Sequence, residues 1–149
     1  MNAFTEEYRQ WRSPSGPFYK IPDEARFVAR LRDLLVREEG ADLWLTAGTP
    51  RRWLTSGESI RFRQMPTTFG PVDLELTAHD DEVTGRVTLP ARNPCANAWL
   101  VLRLPDSRKL RSVEVDGAPW GRVQADTGVI HLPAKPGATL QLKAKTSRN

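Results

Sequence analysis

Clustered carboxylates are the side chains of this chain whose type and spacing come nearest to acid–base chemistry. Two acidic groups can act as general acid and general base when their surroundings push the two pKa values apart. The clusters are Glu6-Glu7, Asp23-Glu24, Glu38-Glu39 and Asp80-Asp81-Glu82. They fall in a Pro- and Gly-broken segment, at the two ends of a predicted helix and in a predicted turn, where acids are ordinarily hydrated. We therefore predict no catalytic residue and expect a protein that is not an enzyme.

Two histidines and one cysteine are the remaining candidates for metal binding or nucleophilic catalysis. His79 stands beside the Asp80-Asp81 turn, which is more typical of a surface than of a metal site. His131, inside a predicted strand, is expected to face solvent or a cross-strand partner. Cys95 has no identified base partner and, as the only cysteine, cannot form an internal disulfide. The sequence also lacks phosphate-binding and metalloprotease motifs, so no metal or other cofactor is predicted.

Tryptophans beside polar residues are the third candidate. Sugars stack their apolar C–H faces on aromatic rings, while polar side chains bond the hydroxyl groups. Arg51, Arg52 and Trp53 fit a carbohydrate-binding platform, and Trp120 is a second candidate. The competing interpretation, which we favour, is that Trp53 packs under its loop or against a neighbouring domain and that Trp120 caps one end of the sheets.

The charge distribution argues against nucleic acid as a partner. The net charge is +4 and the pI is about 9.6. Residues 1–70 hold 11 basic and 9 acidic side chains, and residues 71–149 hold the same numbers, so each half has an excess of +2. A phosphate-binding face needs basic groups clustered on one element. No such cluster or nucleic-acid motif is evident.

The elements that position these residues fall into three regions. Residues 1–20, interrupted by Ser13-Pro14-Ser15-Gly16-Pro17, are predicted to form a flexible N-terminal arm. Residues 21–40 are predicted to form an amphipathic helix ended by Gly40. Its apolar stripe, with the 3.6-residue period of a helix, is Phe27, Leu31, Leu34 and Leu35.

Residues 41–146 are predicted to form an antiparallel, immunoglobulin-like β-sandwich of about eight strands, which makes the fold class mainly β. Apolar and polar residues alternate with period two through most of this region. Asp116-Gly117 indicates a tight hairpin, because both central positions of such a turn need positive φ. Gly85 is interpreted as a β-bulge, and Trp44 and Trp99 are predicted to be core residues.

Targeting signals are not evident. Met1 to Lys20 carries charges throughout and has no apolar core, which excludes an ordinary signal peptide on the chain as given. No window approaches the roughly 18 apolar residues of a membrane helix. The expectation is therefore a cytoplasmic product with no membrane partner, although a parent protein could be exported.

An ordered series of short segments across residues 16–145 resembles the C-terminal region of bacterial six-hairpin glycosidase-like proteins. The series is Gly16-Pro17-Phe18-Tyr19-Lys20, Pro22-Asp23-Glu24, Leu43-Trp44-Leu45, Pro50-Arg51-Arg52-Trp53-Leu54, Pro66-Thr67-Thr68-Phe69-Gly70-Pro71, Leu89-Pro90-Ala91-Arg92-Asn93-Pro94 and Val113-Glu114-Val115-Asp116-Gly117-Ala118-Pro119-Trp120. The resemblance implies a last barrel helix followed by a β-sandwich. In such proteins an (α/α)6 barrel carries the catalytic acids, and this chain lacks nearly all of that barrel, so no catalytic residue carries over.

Two functional expectations follow. The first is a non-catalytic accessory domain of a glycoside hydrolase-like protein, which pairs with an (α/α)6 barrel, or with a second copy, through helix 23–39 and the Arg51–Leu54 loop. The second is a stand-alone carbohydrate-binding module that uses Trp53 or Trp120. The sequence leaves open whether the chain is a fragment, a split-gene product or a detached domain.

Overall fold

The computed structural model describes residues 21–147, with side chains from residue 25 onward. Within that range it contains one α-helix, one 3-10 helix and 11 strands. The predicted arm, residues 1–20, lies outside the described residues. The elements are α1 (Ile21–Leu35), β1 (Val36–Glu39), β2 (Asp42–Leu45), the 3-10 helix (Arg51–Leu54), β3 (Ser59–Met65), β4 (Val72–Ala78), β5 (Glu82–Thr88), β6 (Asn97–Val101), β7 (Lys109–Val115), β8 (Ala118–Pro119), β9 (Val123–Gln124), β10 (Val129–Leu132) and β11 (Thr139–Ser147).

The chain divides into two compact units, Met1–Asp33 and Leu34–Asn149. The described part of the first unit is the greater part of α1. This helix is amphipathic, as predicted, but of its described apolar side chains only Leu34 and Leu35 are half-buried, and those nearer its N-terminus are largely exposed. Phe27 is 67% exposed, Val28 63% and Leu31 43%.

The predicted C-terminal boundary of the helix is wrong. The helix ends at Leu35, and Val36–Glu39 forms β1, which pairs antiparallel with β2. Val36 is fully buried. As a strand, this segment gains hydrogen bonds to β2 and buries Val36 in the core, which outweighs the loss of another helical turn. The last carbonyl groups of the helix accept bonds from the loop after β2: Thr46 N–H donates to Leu35 O at 2.7 Å and Gly48 N–H to Leu34 O at 3.1 Å.

The second unit is a β-sandwich, which confirms the predicted fold class. A five-stranded sheet has the order β1-β2-β6-β10-β9, and a six-stranded sheet has the order β3-β4-β5-β11-β7-β8. Every described pair is antiparallel except β2 with β6, which is parallel. The strands beyond the predicted eight are β1, β8 and β9, and the last two have two residues each, too few to show a period.

The core lies between the two sheets and follows the period-two alternation. One continuous cluster of buried side chains joins the two sheets. It includes Leu43, Leu45, Leu100 and Ile130 of the five-stranded sheet and Leu74, Leu76, Val87 and Leu142 of the six-stranded sheet. Burying each such side chain contributes roughly 1.5–3 kcal/mol, so this cluster is the main source of stability.

Two predicted turn and strand features have different outcomes. The Asp116-Gly117 turn is confirmed, with φ of 53° and 79° at its two central residues, between β7 and β8. The bulge predicted at Gly85 is wrong, because Gly85 pairs in regular register with Leu76 and Leu142. A glycine is needed there because a Cβ atom would press on the Leu76 side chain and the Glu75 carbonyl oxygen.

Candidate functional site

The 3-10 helix places the first group of predicted site residues on the surface. Leu54 is only 2% exposed and holds this short segment in the core. Trp53 is half-buried and packs against the same core, while Arg51 and Arg52 are exposed. The segment therefore has one buried anchor and three side chains that reach solvent to different extents.

Trp53 lines a surface cavity of about 320 Å³ beside the edge strand β3. The other lining residues are Leu35, Glu58, Ser59, Ile60 and Arg61. Arg61 pairs with Glu75 of the neighbouring strand. The cavity thus combines one indole ring with a carboxylate, a hydroxyl group and a guanidinium group.

Two arginines link residues 47–51, at the start of the 3-10 helix, with the segment after β6. Arg51 Nη1 donates to the carbonyl oxygen of Leu104 at 2.7 Å, and Arg103 Nη1 donates to that of Ala47 at 3.4 Å. The bonds run in opposite directions between the same two segments, so both guanidinium groups lie at this junction. The exposed Arg52 stands next to Arg51 in the chain.

Trp120 does not join this group. It follows β8, whereas the 3-10 helix contacts β3, and these strands are the opposite edges of the six-stranded sheet. Its Nε1–H donates to the carbonyl oxygen of His131 at 2.9 Å, and its ring packs against the core. The structure therefore separates Trp53 from Trp120, and Trp120 has a packing contact and an internal hydrogen bond.

An aromatic row runs across the outer face of the five-stranded sheet: Trp44 of β2, Trp99 of β6 and His131 of β10. Cross-strand register places Trp44 opposite Trp99 and Trp99 opposite His131. The Trp44 and Trp99 rings stack with centroids 5.3 Å apart, and the Trp99 and His131 rings with centroids 4.2 Å apart. The expectation that His131 meets a cross-strand partner is confirmed.

The prediction that Trp44 and Trp99 are core residues is wrong, since both are half-buried on the outer face. The alternation explains this: Leu43 and Leu45 occupy the core face of β2, so Trp44 must point the other way. The same alternation could have been applied from the sequence to place the row on the outer face.

The aromatic rings in the row stack face to face on one another. The Arg37 guanidinium carbon lies 6.0 Å from the Trp44 ring centroid, so the first ring has a cation beside it. The Nε1 atoms of Trp44 and Trp99 are buried without a hydrogen-bond partner among the described residues. With its inner faces covered, the row is better suited to stabilising the sheet than to stacking a sugar ring.

Two titratable groups near this sheet have shifted pKa values. Burial, reinforced by the charge of Arg122, lowers the pKa of His131, while Asp42 acts in the opposite sense. Burial also raises the pKa of the Cys95 thiol, which a bond to its own backbone partly offsets. His131 is therefore biased towards its neutral form and Cys95 towards its protonated form.

Glu6-Glu7 lies outside the described residues, as do the side chains of Asp23 and Glu24; Glu38, Glu39, Asp80, Asp81, Glu82 and His79 are not among the residues that line the cavity. Glu82 pairs with Lys143 at 3.2 Å, and Glu38 accepts a bond from the backbone N–H of Thr68 at 3.0 Å. His79 Nε2 lies 3.4 Å from the Thr84 hydroxyl oxygen. Among residues 25–147, no three His, Cys, Asp or Glu side chains are grouped so that they could hold a metal ion.

The longest described helix, α1, has 15 residues. Over the part of the chain that the structure describes, no helix has the length and apolar character needed to cross a bilayer.

Comparisons with known proteins add only weak structural likeness. No family model and no curated protein matches the sequence. Among solved structures, a GH127 β-arabinofuranosidase superposes on 85% of this chain with a TM-score of 0.41 and 12% sequence identity. The chain spans only 22% of that enzyme's length. At this TM-score the likeness does not establish a shared fold.

Proposed function

We propose that this chain is a non-catalytic accessory β-sandwich domain that pairs with an (α/α)6 helical barrel through helix α1. The observation that carries the proposal is the exposed apolar stripe Phe27, Val28 and Leu31 on that helix. The resemblance of the sequence to the tail of six-hairpin glycosidase-like proteins supports the choice of partner. In such proteins a helix at this position belongs to the barrel.

The energetics of the stripe favour a covered state. Large apolar side chains at positions i, i+1 and i+4 lie on one face of a helix and can pack between the side-chain ridges of another helix. Complete burial of each contributes roughly 1.5–3 kcal/mol relative to exposure. An exposed stripe of this kind marks an interaction surface.

The test compares three forms of the chain. The wild type is expected to bind a hydrophobic dye and to self-associate or to co-purify with a co-expressed (α/α)6 barrel of a six-hairpin glycosidase-like protein. Phe27→Gln/Val28→Gln/Leu31→Gln is expected to abolish both properties while leaving the circular dichroism of the sandwich unchanged. The control is Ala25→Gln/Ala29→Gln, which alters exposed positions on the opposite face of the helix. A monodisperse wild type that binds neither dye nor barrel would overturn the proposal.

A second candidate function is saccharide binding at Trp53. The observation that favours it is the cavity of about 320 Å³, whose volume is at the lower end of the roughly 300–1,000 Å³ typical of ligand pockets. Trp53 supplies a ring face, and Glu58, Ser59 and Arg61 supply hydrogen-bonding groups for hydroxyls. Trp120 is less suited, because its indole N–H already donates to His131.

The saccharide candidate is tested by titrating a panel of oligosaccharides against the intrinsic tryptophan fluorescence. Binding is expected to be lost in Trp53→Ala and kept in Trp120→Ala, with thermal unfolding measured to verify that both variants fold. Binding that survives Trp53→Ala would rule out the cavity as the saccharide site.

A further inference from the structure

Arg51 and Arg103, whose bonds link the same two segments, form with the adjacent, exposed Arg52 a group of positive charges, the arginine junction, that no described carboxylate compensates. Some other cations of the sandwich do have acidic partners: Arg37 pairs with Glu39 at 2.9 Å and Lys109 with Asp126 at 2.7 Å. Among residues 25–147, no carboxylate lies within ion-pair distance of the three arginines. The bonded partners of Arg51 and Arg103 are backbone carbonyl groups, which leave the full charge of each guanidinium in place.

Two of these guanidinium groups are also held in position. Arg51 donates one N–H to the carbonyl oxygen of Leu104, and Arg103 donates one N–H to that of Ala47. A guanidinium has five N–H donors in a planar fork, and the remaining donors match the paired oxygens of an acidic group. Because the side chains are already positioned, less rotamer entropy is lost when an anion binds.

We propose that Arg51, Arg52 and Arg103 bind the acidic group of an anionic saccharide whose sugar ring lies against Trp53. The proposal rests on the saccharide-binding function proposed for the Trp53 cavity and names its ligand class. Arg51, Arg52 and Trp53 belong to one 3-10 helix, so a ligand of two or three sugar units can reach from the arginines to the indole ring. The shared chemistry is an oxyanion, either the carboxylate of a uronic acid or a sulfate ester.

Glu58 sets the orientation of such a ligand. Glu58 lines the cavity with Trp53, and the negative charge of its carboxylate would repel an acidic group placed there. A neutral sugar hydroxyl can instead donate to Glu58. The acidic group of the ligand is therefore directed towards the arginine junction and the neutral ring towards the cavity.

The test titrates three matched trisaccharides, one neutral, one of galacturonate and one sulfated, against tryptophan fluorescence and by calorimetry at low and high salt. An acidic trisaccharide is expected to bind roughly tenfold or more tightly than the neutral one at low salt, as for a charge-assisted hydrogen bond. The advantage should shrink as salt screens the exposed charges. Comparing the two acidic ligands distinguishes a carboxylate site from a sulfate site.

Single variants assign the effect to the junction. Arg52→Gln and Arg103→Gln are each expected to remove most of the preference for the acidic ligand while keeping the affinity for the neutral one. Arg86→Gln, on the exposed outer face of β5, is the charge-matched control and should change neither. Thermal unfolding checks that each variant folds. Because Arg52 is exposed, Arg52→Gln is expected to disturb the fold less than Arg103→Gln.

The titrations distinguish a failure of the anionic ligand class from a failure of saccharide binding itself. Equal binding of acidic and neutral trisaccharides at Trp53 would overturn the anionic ligand class and leave saccharide binding standing. A preference for acidic ligands that persists in both junction variants would also overturn it. The absence of binding by any of the three would overturn saccharide binding itself.

Discussion

The indole ring of Trp99 lies against the imidazole ring of His131, with the ring centroids 4.2 Å apart and the planes inclined by 21°. The two residues are directly opposite each other on β6 and β10. Because Trp44 covers the other face of Trp99, the imidazole closes one end of the aromatic row. The ionisation state of His131 therefore reports on the integrity of the outer face of this sheet.

We predict that the pKa of His131 in the folded protein lies below the ordinary value of 6.5, because burial and the charge of Arg122 disfavour the cation. The folded state then prefers neutral imidazole more than the unfolded state does. The contribution to stability is fully present above pH 6.5, and it is lost as the pH falls through 6.5 towards the folded pKa. An NMR titration of the imidazole resonances measures the shift directly.

Arg122→Gln is the informative variant for this titration. It removes one of the causes that lower the pKa of His131, so the pKa should rise towards 6.5. Arg111→Gln, at an exposed position on β7, removes the same charge elsewhere and should leave the His131 titration unchanged. A His131 pKa at or above 6.5 in the wild type would contradict the prediction.

Thr46→Val is predicted to destabilise the sandwich by about 1–3 kcal/mol, the usual cost of leaving a buried polar group unpaired. The fully buried Thr46 hydroxyl lies 2.8 Å from the carbonyl oxygen of Val101 and 2.7 Å from that of Leu45. Valine keeps the shape and removes the donor. Chemical denaturation should show the loss, whereas the exposed control Thr55→Val should change the free energy of unfolding by less than about 0.5 kcal/mol.

Gly128→Ala and Gly121→Ala are predicted to have opposite consequences. Gly128 has a φ of 73°, and a Cβ atom there would overlap the carbonyl oxygen of Leu102. The backbone conformation alone costs an alanine about 1–2 kcal/mol, and the overlap adds to this. Gly121 has open space around its Cα, so alanine there should be neutral or stabilising by up to about 1 kcal/mol. Similar melting temperatures for the two variants would show that the close approach at Gly128 is absent in solution.

Trp120→Phe is predicted to lower the free energy of unfolding by about 0.5–1.5 kcal/mol, the net contribution of a typical hydrogen bond. The change removes the Nε1–H that donates to the carbonyl oxygen of His131 and keeps an aromatic ring against the core. Trp53→Phe is the matched control, because the Trp53 indole N–H has no protein partner among the described residues. Equal losses in the two variants would mean that ring packing, and not the hydrogen bond, holds Trp120.

Local patterns were sufficient to predict the class of fold and several of its turns. Alternation with period two predicts strands wherever one face is buried, and this holds for Val72 to Ala78 and for Thr139 to Ser147. The Asp116-Gly117 turn is also local, because two consecutive residues tolerate the positive φ that the hairpin needs. The candidate residues Arg51, Arg52 and Trp53 were found in the same way, from residue type and adjacency.

Long-range pairing decided the rest. Val36–Glu39 continues a helical pattern but forms a strand, because pairing with β2 buries Val36. Trp44 and Trp99 meet only because β2 and β6 pair in parallel across 55 residues of chain, and sequence periodicity does not specify which strands become neighbours. The same topology places Trp53 and Trp120 at opposite edges of one sheet and brings Arg103 to Arg51. A side chain's facing direction is a local property, whereas its neighbours depend on how distant strands share one core.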